Sequence, residues 1–575
     1  MAFQVSPGVN VSEIDLTTVV PAVSTSTGAL AGRFNWGPVE TVVQVSNEVE
    51  LVAKFGKPNS NVANDFFTAA NFLAYSGDLR VVRAANNQTY NAVDSGGSPQ
   101  LIKNEDDYLT NHYTSSGTSA VFAARYAGAL GNSLKVEMWA NTGNALSDWT
   151  YGSLFDKKPG TTNFIATNYN AVANDELHLV VIDENGEITG VANTVLERYQ
   201  GLSKATNSKD DSGQSLYYKD VLYRSSKWVY VVGFPDLLDT SDAGWGVAAN
   251  STHIFSDIEE ANSAYSLGSG VDTALTNGDI IRGYDVIKNS ENVDISLVMT
   301  CGHSETVTLD VINNVAAARR DCIALVSPSL ANVRAADPTT AVINYRNNAL
   351  ANISSSYAVM DSGWKYQYDK YNDVYRYVPL NGDIAGLCAR TDLDRDPWYS
   401  PAGLTRGQIK NVVKLAYNPS KANRDELYKN GVNPVVSFPG EGTLLFGDKT
   451  MLGRPSAFDR INVRRLFIVL EKSIARAARS SLFEFNDEFT RAQFVNLVEP
   501  FLRTVQGRRG IYDFRVVCDT TNNTPEIIDR NEFIGDIYVK PAKSINFIQL
   551  NFVAVRTGVS FEEVAGAGIP TLGNL

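Results

Sequence analysis

The stretch from Val293 to Val326 does most to constrain the fold. Val293–Met299 is an apolar run with the density of a buried strand. Thr306–Arg320 follows with helical spacing, Val307, Val311 and Val315 recurring every fourth residue. Asp321–Val326 is a second buried-strand run, closed by Ser327-Pro328. Strand, helix and strand in that order imply a right-handed parallel crossover. Parallel strands need cover on both faces, so the chain must build an α/β layer with helices on each side.

The same texture opens the chain after residue 23. Ala29-Leu30-Ala31-Gly32 runs into the turn Trp36-Gly37-Pro38. Glu48–Phe55 reads as a short helix stopped by Gly56 and Pro58, Asp65–Tyr75 as a second helix, and Leu79–Arg83 as a strand. Residues 91–284 differ: short β-rich runs such as Leu177–Ile182 and Trp228–Val232 lie between Ser95-Gly96-Gly97, Ser115-Ser116-Gly117, Pro159-Gly160 and Asp210–Gly213. Loop-rich β texture between two α/β stretches predicts an insertion facing solvent. Residues 436–555 carry two long helical patterns and a terminal strand run. At about 150 residues per domain, 575 residues suggest three or four domains. The expected class is α/β multidomain: a core from 23–90 and 285–435, β-rich outer domains inserted at 91–284, and a C-terminal domain at 436–555. Extended arms are expected at 1–22 and 556–575.

Charge and chemistry-bearing residues exclude several functions. The net charge of −13 argues against non-specific nucleic-acid binding, which needs a basic footprint. The four cysteines (Cys301, Cys322, Cys388, Cys518) are scattered, without the spacing of a disulfide scaffold or zinc ribbon. Four histidines are few for metal or acid–base work. The opening residues lack a basic n-region and an apolar core, and Leu466–Leu470 is too short to span a bilayer. A soluble chain made in a cytoplasm is the expectation.

Three motifs invite a sharper reading. Gly442–Thr450 nearly matches a phosphate-binding loop, but Asp448 shifts Lys449 out of register and Leu444-Leu445-Phe446 is too bulky, so a β-hairpin is expected. Cys301-Gly302-His303 offers a nucleophile beside a base, yet no orienting carboxylate is identifiable in sequence, and a buried cysteine at a strand end is the better reading. Trp364, Tyr366 and Tyr368 alternate, as do Tyr375 and Tyr377 after Asn372-Asp373. Their neighbouring charges balance, so a hairpin with aromatic cross-strand pairs is favoured over a base-stacking platform.

The segment Arg454–Arg479 holds seven basic and two acidic residues in an acidic chain. On a helix, Arg465, Lys472, Arg476 and Arg479 fall within an arc of about 60°, opposite Leu466, Leu470, Ile474 and Ala477. The pattern predicts a basic stripe on an amphipathic helix, which gains strength only when repeated against one partner. Arg503, Arg508 and Arg509 are a second-choice patch. Both ends alternate like strands without local partners: Val9, Val11, Ile14 and Leu16 at one end, Val559 and Phe561 at the other. Such strands must find an edge, in their own sheet or another subunit's.

These residues also carry a resemblance. The opening Ser6–Val9, Glu13–Asp15, Pro21, Gly37-Pro38 and Phe55-Gly56 is similar to that of the tail sheath proteins of contractile-tailed bacteriophages. So are Trp364–Pro379, Gly382–Gly386, Trp398, Asn462–Arg465, Phe483–Asp487, Tyr512, Cys518-Asp519 and Arg556–Val559. The likeness is weakest over about 91–200. It implies a structural subunit, not an enzyme, stacked in rings around a tail tube. Its core would join N- and C-terminal parts, with variable domains inserted outward and the C-terminal domain facing the tube. The basic stripe then falls to tube contact, and the terminal arms to pairing with neighbouring subunits. The implied partners are further copies, the tube protein, and baseplate and tail terminator proteins, without direct nucleic-acid contact or membrane insertion. No cofactor, metal or catalytic residue is implied, and the place is the virion tail, assembled in the host cytoplasm. A related contractile injection or bacteriocin particle is the alternative; such sheaths tend to be smaller, so the long insertion favours a phage.

Overall fold

The computed structural model describes residues 23–94, 98–113, 120–140, 143–233, 245–258 and 264–546. A seven-stranded sheet organises the core, in the order Val432–Asn433, Ala358–Asp361, Ile323–Val326, Leu297–Met299, Gly28–Gly32, Leu79–Arg83, Val42–Val45. Six strands run parallel, and Val42–Val45 closes one edge antiparallel to Leu79–Arg83. Gly28–Gly32 sits inside, pairing Ala29 with Val298 on one side and Leu30 with Val81 on the other.

Successive side chains point to opposite faces, so each strand feeds two cores. Leu30, Val81, Met299, Leu325 and Val359 pack under helices Glu48–Phe55, Ala63–Leu73 and Asn381–Asp394. Ala29, Ala31, Val82, Val298, Ala324 and Met360 pack under Asn277–Asp285, the helical segment 305–319, Pro338–Asn344 and Lys421–Lys429. The helix ends follow local chemistry. Asn47 accepts from Glu50 N–H at 2.9 Å, and Gly56 ends the same helix at φ 78°. Val307, Val311 and Val315 are fully buried, though the 305–319 segment passes through a π-helical stretch at Val311–Ala316.

A second seven-stranded sheet, wholly antiparallel, is built from strands between Val93 and Gly268. Arg83, 2% exposed, ties it to the core: its guanidinium donates to Phe34 O at 2.9 Å, Gly37 O at 2.9 Å and Ala127 O at 2.7 Å. Burial lowers this guanidinium to about 10, and three carbonyls satisfy it. Two boundaries differ from the sequence expectation. Helix Asn277–Asp285 sends Ile280 and Tyr284 into the core, so the outer sheet ends before it. The hairpin Val435–Phe438 with Gly442–Leu445 likewise belongs to the core, through Val435 and Leu445.

The aromatic block forms the expected hairpin, with Tyr366 opposite Tyr377 and Tyr368 opposite Tyr375. Lys365 points inward from it, donating to Asp383 Oδ1 at 2.9 Å and Lys410 O at 2.9 Å. Tyr75 donates to the same carboxylate at 3.1 Å and accepts from Lys410 N–H at 2.7 Å. Four distant segments thus meet at one buried ion pair. The chain divides into residues 1–542 and 543–575; of the second unit only 543–546 are described, without helix or strand. Among the described residues no helix is long and apolar enough to cross a membrane.

Asp361 lies at the end of a core strand, taking Ser327 Oγ–H at 2.6 Å and Gly363 N–H at 2.9 Å. Burial pushes its carboxyl up to about 8, so the folded state holds a proton that the unfolded state releases near pH 4. Its contribution to stability is complete below about pH 4 and is lost as pH rises to about 8, at up to about 1.4 kcal/mol per unit. Asp361→Asn should flatten that slope, read from urea midpoints across pH 4–8.

Candidate functional site

The C-terminal segment is built on helices Ile461–Ala478 and Glu488–Gly507. Leu466, Leu470 and Ile474 of the first pack against Phe494, Val498, Leu502 and Val505 around the second. Ile461 and Ile468 pack instead into the core, so one helix joins both clusters.

Its cations do not form the expected four-residue stripe in solvent. Arg465 is 4% exposed, its guanidinium 2.5 Å from Asp392 and donating to Cys388 O and Thr25 O at 3.2 Å each. Lys472 meets Asp294 at 2.5 Å and Ile295 O at 3.0 Å. Arg476 reaches the other Asp294 oxygen at 3.3 Å and is 44% exposed. Arg479 is exposed and has no ion pair among the described residues. Helical spacing carried no signal for Asp392 and Asp294, which come from other elements. The second patch is exposed: Arg503 pairs with Glu499 at 3.3 Å, Arg508 with Asp396 at 2.6 Å, and Arg509 follows at the helix end.

After the second helix comes a lone antiparallel ribbon, Ile511–Val517 with Asp536–Pro541. Phe514, Val516, Ile537 and Val539 rest on the helix pair, while Tyr512 and Tyr538 stand in solvent. Among the described residues, neither outer edge of this ribbon has a strand partner. The arm residues Val9, Val11, Ile14, Leu16, Val559 and Phe561, and the run Ile548–Ala554, lie outside the described residues.

The remaining motifs resolve structurally. Gly442–Leu445 is a hairpin strand; Asp448 pairs with Arg460 at 3.3 Å, and Lys449 donates to Tyr428 O at 2.8 Å. The lysine of the near-match is therefore held by the fold. Cys301-Gly302-His303 follows strand Leu297–Met299, with Cys301 buried as expected. A carboxylate does face His303: Asp65, at 3.5 Å, from a helix more than two hundred residues earlier, which sequence proximity could not reveal.

Three family descriptions match in turn: the Gp18 domain III N-terminal region of tail sheath protein over residues 25–84, the phage tail sheath protein central domain over 273–451, and the phage tail sheath C-terminal domain over 454–554. The tail sheath protein of Vibrio phage KVP40 is 34% identical, covering 98% of this chain and 99% of its own. That of Enterobacteria phage T4 is 35% identical with the same coverage. The chain belongs to the phage tail sheath family. Among solved structures, the sheath tail protein of Listeria innocua is similar with a TM-score of 0.52 at 11% identity, over 91% of this chain and 96% of that one. The contracted helical sheath of the anti-feeding prophage is similar with a TM-score of 0.50 at 12% identity, over 96% and 99%. The sheath is a structural component of the contractile phage tail, and the chain is not an enzyme.

The two ends of the basic helix should respond differently to truncation. Arg465→Ala leaves Asp392 buried and unpaired, and should cost about 3–5 kcal/mol. Arg476→Ala removes a surface contact and should cost less than about 1 kcal/mol. Urea denaturation of the two variants checks this.

Proposed function

We propose that this sheath subunit polymerises as stacked rings around the tail tube and contracts to drive the tube through the host envelope during genome delivery. The observation that carries the reading is the lone C-terminal ribbon. A two-stranded ribbon is marginal alone, and among the described residues this one has an open edge on each side. The chain carries alternating segments at both termini, Val9–Leu16 and Val559–Phe561, besides the run Ile548–Ala554, so strands able to cover such edges are at hand. Strand addition from neighbouring copies would link every subunit by main-chain hydrogen bonds while the bodies stay free to turn. Contraction is then a rigid-body rotation of subunits with the arm pairings retained. Its energy comes from assembly, in keeping with a near-match loop whose lysine is occupied.

The tube lies on the C-terminal side in this reading. Arg476 and Arg479 are the cations of the original stripe exposed enough to meet it, while Arg465 and Lys472 tie the helix to Asp392 and Asp294. Arg503, Arg508 and Arg509 are the second choice. Baseplate and tail terminator proteins are the partners at the two ends, and assembly takes place in the host cytoplasm. The phage reading is preferred to a bacteriocin or injection particle because the relatives above 30% identity are phage proteins spanning the whole chain.

Deleting residues 1–20 should leave a folded monomer that forms no connected tubules by negative-stain electron microscopy; normal tubules would refute the arm pairing. Arg476→Glu with Arg479→Glu should reduce co-sedimentation with purified tubes and steepen its salt sensitivity. Unchanged binding would move the tube contact elsewhere.

A further inference from the structure

Asp65, Cys301 and His303 meet where the winding of the core sheet reverses. From Gly28–Gly32 the chain proceeds outward to Leu79–Arg83. From Leu297–Met299 it proceeds the opposite way, through Ile323–Val326 and Ala358–Asp361 to Val432–Asn433. In open parallel sheets that reversal leaves a crevice beyond the carboxyl ends of the two central strands, where ligands bind. Gly32 ends one of those strands, Cys301 and His303 leave the other, and Asp65 comes from the helix Ala63–Leu73.

The donor atoms of the three side chains all lie within 4.8 Å of one another. His303 Nε2 is 3.5 Å from Asp65 Oδ1 and 3.2 Å from Ala31 O, while Asp65 Oδ2 accepts Arg33 N–H at 2.7 Å. Cys301 is 1% exposed, Asp65 3%, and the His303 side chain 6%. A carboxyl so buried either keeps its proton or is met by a cation. Among the described residues, the ion-pair partner within 4 Å of Asp65 is His303 itself. The backbone is also committed here. Cys301 holds φ 55°, a left-handed conformation that a non-glycine residue adopts at a cost of about 1–3 kcal/mol. A Cβ on Gly32 would come within 2.8 Å of the Asp65 side chain, so glycine leaves that carboxylate its room.

Thiolate, imidazole and carboxylate together form a donor set for borderline-soft divalent ions, zinc above all. Bonds of about 2.0–2.3 Å in a tetrahedral site hold ligand atoms about 3.3–3.8 Å apart. The Asp65–His303 separation lies in that range, the thiol needs to close by up to about 1.3 Å, and ligation takes the place of the proton that Nε2 shares with Ala31 O. We propose that Asp65, Cys301 and His303 supply three ligands to one Zn²⁺, its fourth position left to water or a main-chain carbonyl, and that the ion staples the N-terminal helix Ala63–Leu73 to the segment leaving the central strand Leu297–Met299. The site departs from the metal-free expectation of the sequence, whose scattered cysteines and histidines show no metal spacing because two ligands come from one segment and the third from another.

The test uses the full-length, untagged protein purified without chelators. Elemental analysis should find about one zinc per chain, and chelation should lower the melting temperature. Co²⁺ added to the stripped protein should give a thiolate-to-cobalt charge-transfer band, absent in Cys301→Ser and weakened in His303→Gln. No zinc above the buffer level together with no cobalt band in the wild type would overturn the proposal. So would zinc retained equally by a folded Cys301→Ser. Circular dichroism establishes folding of each variant, and the wild-type cobalt spectrum decides alone if a variant misfolds.

Discussion

The core depends on one strand that cannot exist without its neighbours. Gly28–Gly32 is five residues of glycine, alanine and leucine, buried on both faces and hydrogen-bonded on both edges. Its small side chains let helices approach closely: a Cβ on Gly28 would come within 2.6 Å of the Phe72 ring. One edge is met by Leu79–Arg83, close in sequence, and the other by Leu297–Met299, which arrives only after the whole outer sheet. A long intervening loop adds little to the entropy of closing that contact, since the cost grows only with the logarithm of length. The outer sheet has a buried cluster to which the core segment adds Trp36.

Much of this architecture was legible in the sequence, because burial on two faces leaves continuous apolar runs and burial on one leaves a period. The strand at Ile323–Val326, the helix Glu48–Phe55 and the tyrosine hairpin were readable on those grounds. What was not legible depends on contacts between segments remote in sequence. Arg465 and Lys472 look like a solvent-facing stripe until Asp392 and Asp294 are placed against them. Asp65 looks like one polar residue in a helix until the turn at Cys301 brings His303 to it. Boundaries at 277 and 435 shifted for the same reason: a helix or hairpin near a change of texture joins whichever cluster its apolar side chains fill.

Polar contacts do the work of connection between these layers. Lys365 with Asp383 and Tyr75 fastens the tyrosine hairpin to the helices of one face. Arg465 and Lys472 fasten the C-terminal helix to the core through Asp392 and Asp294. Such ties are directional, because a buried, hydrogen-bonded ion pair has few alternative geometries.

The outer sheet leaves and re-enters the core through one neck. Tyr90 and Val271 exchange both main-chain hydrogen bonds, at 3.1 and 3.2 Å, so the two chain crossings stand side by side as one antiparallel pair. Residues paired in this way have Cα atoms about 5.5 Å apart. Everything between them is, to the core, a loop with adjacent ends. The outer sheet is thus carried on a two-stranded neck, with Arg83 and Glu40 adding ties beside it. Arg83, at the end of a core strand, donates across that neck to Ala127 O, so a module exchanged for the outer sheet would also have to supply that acceptor.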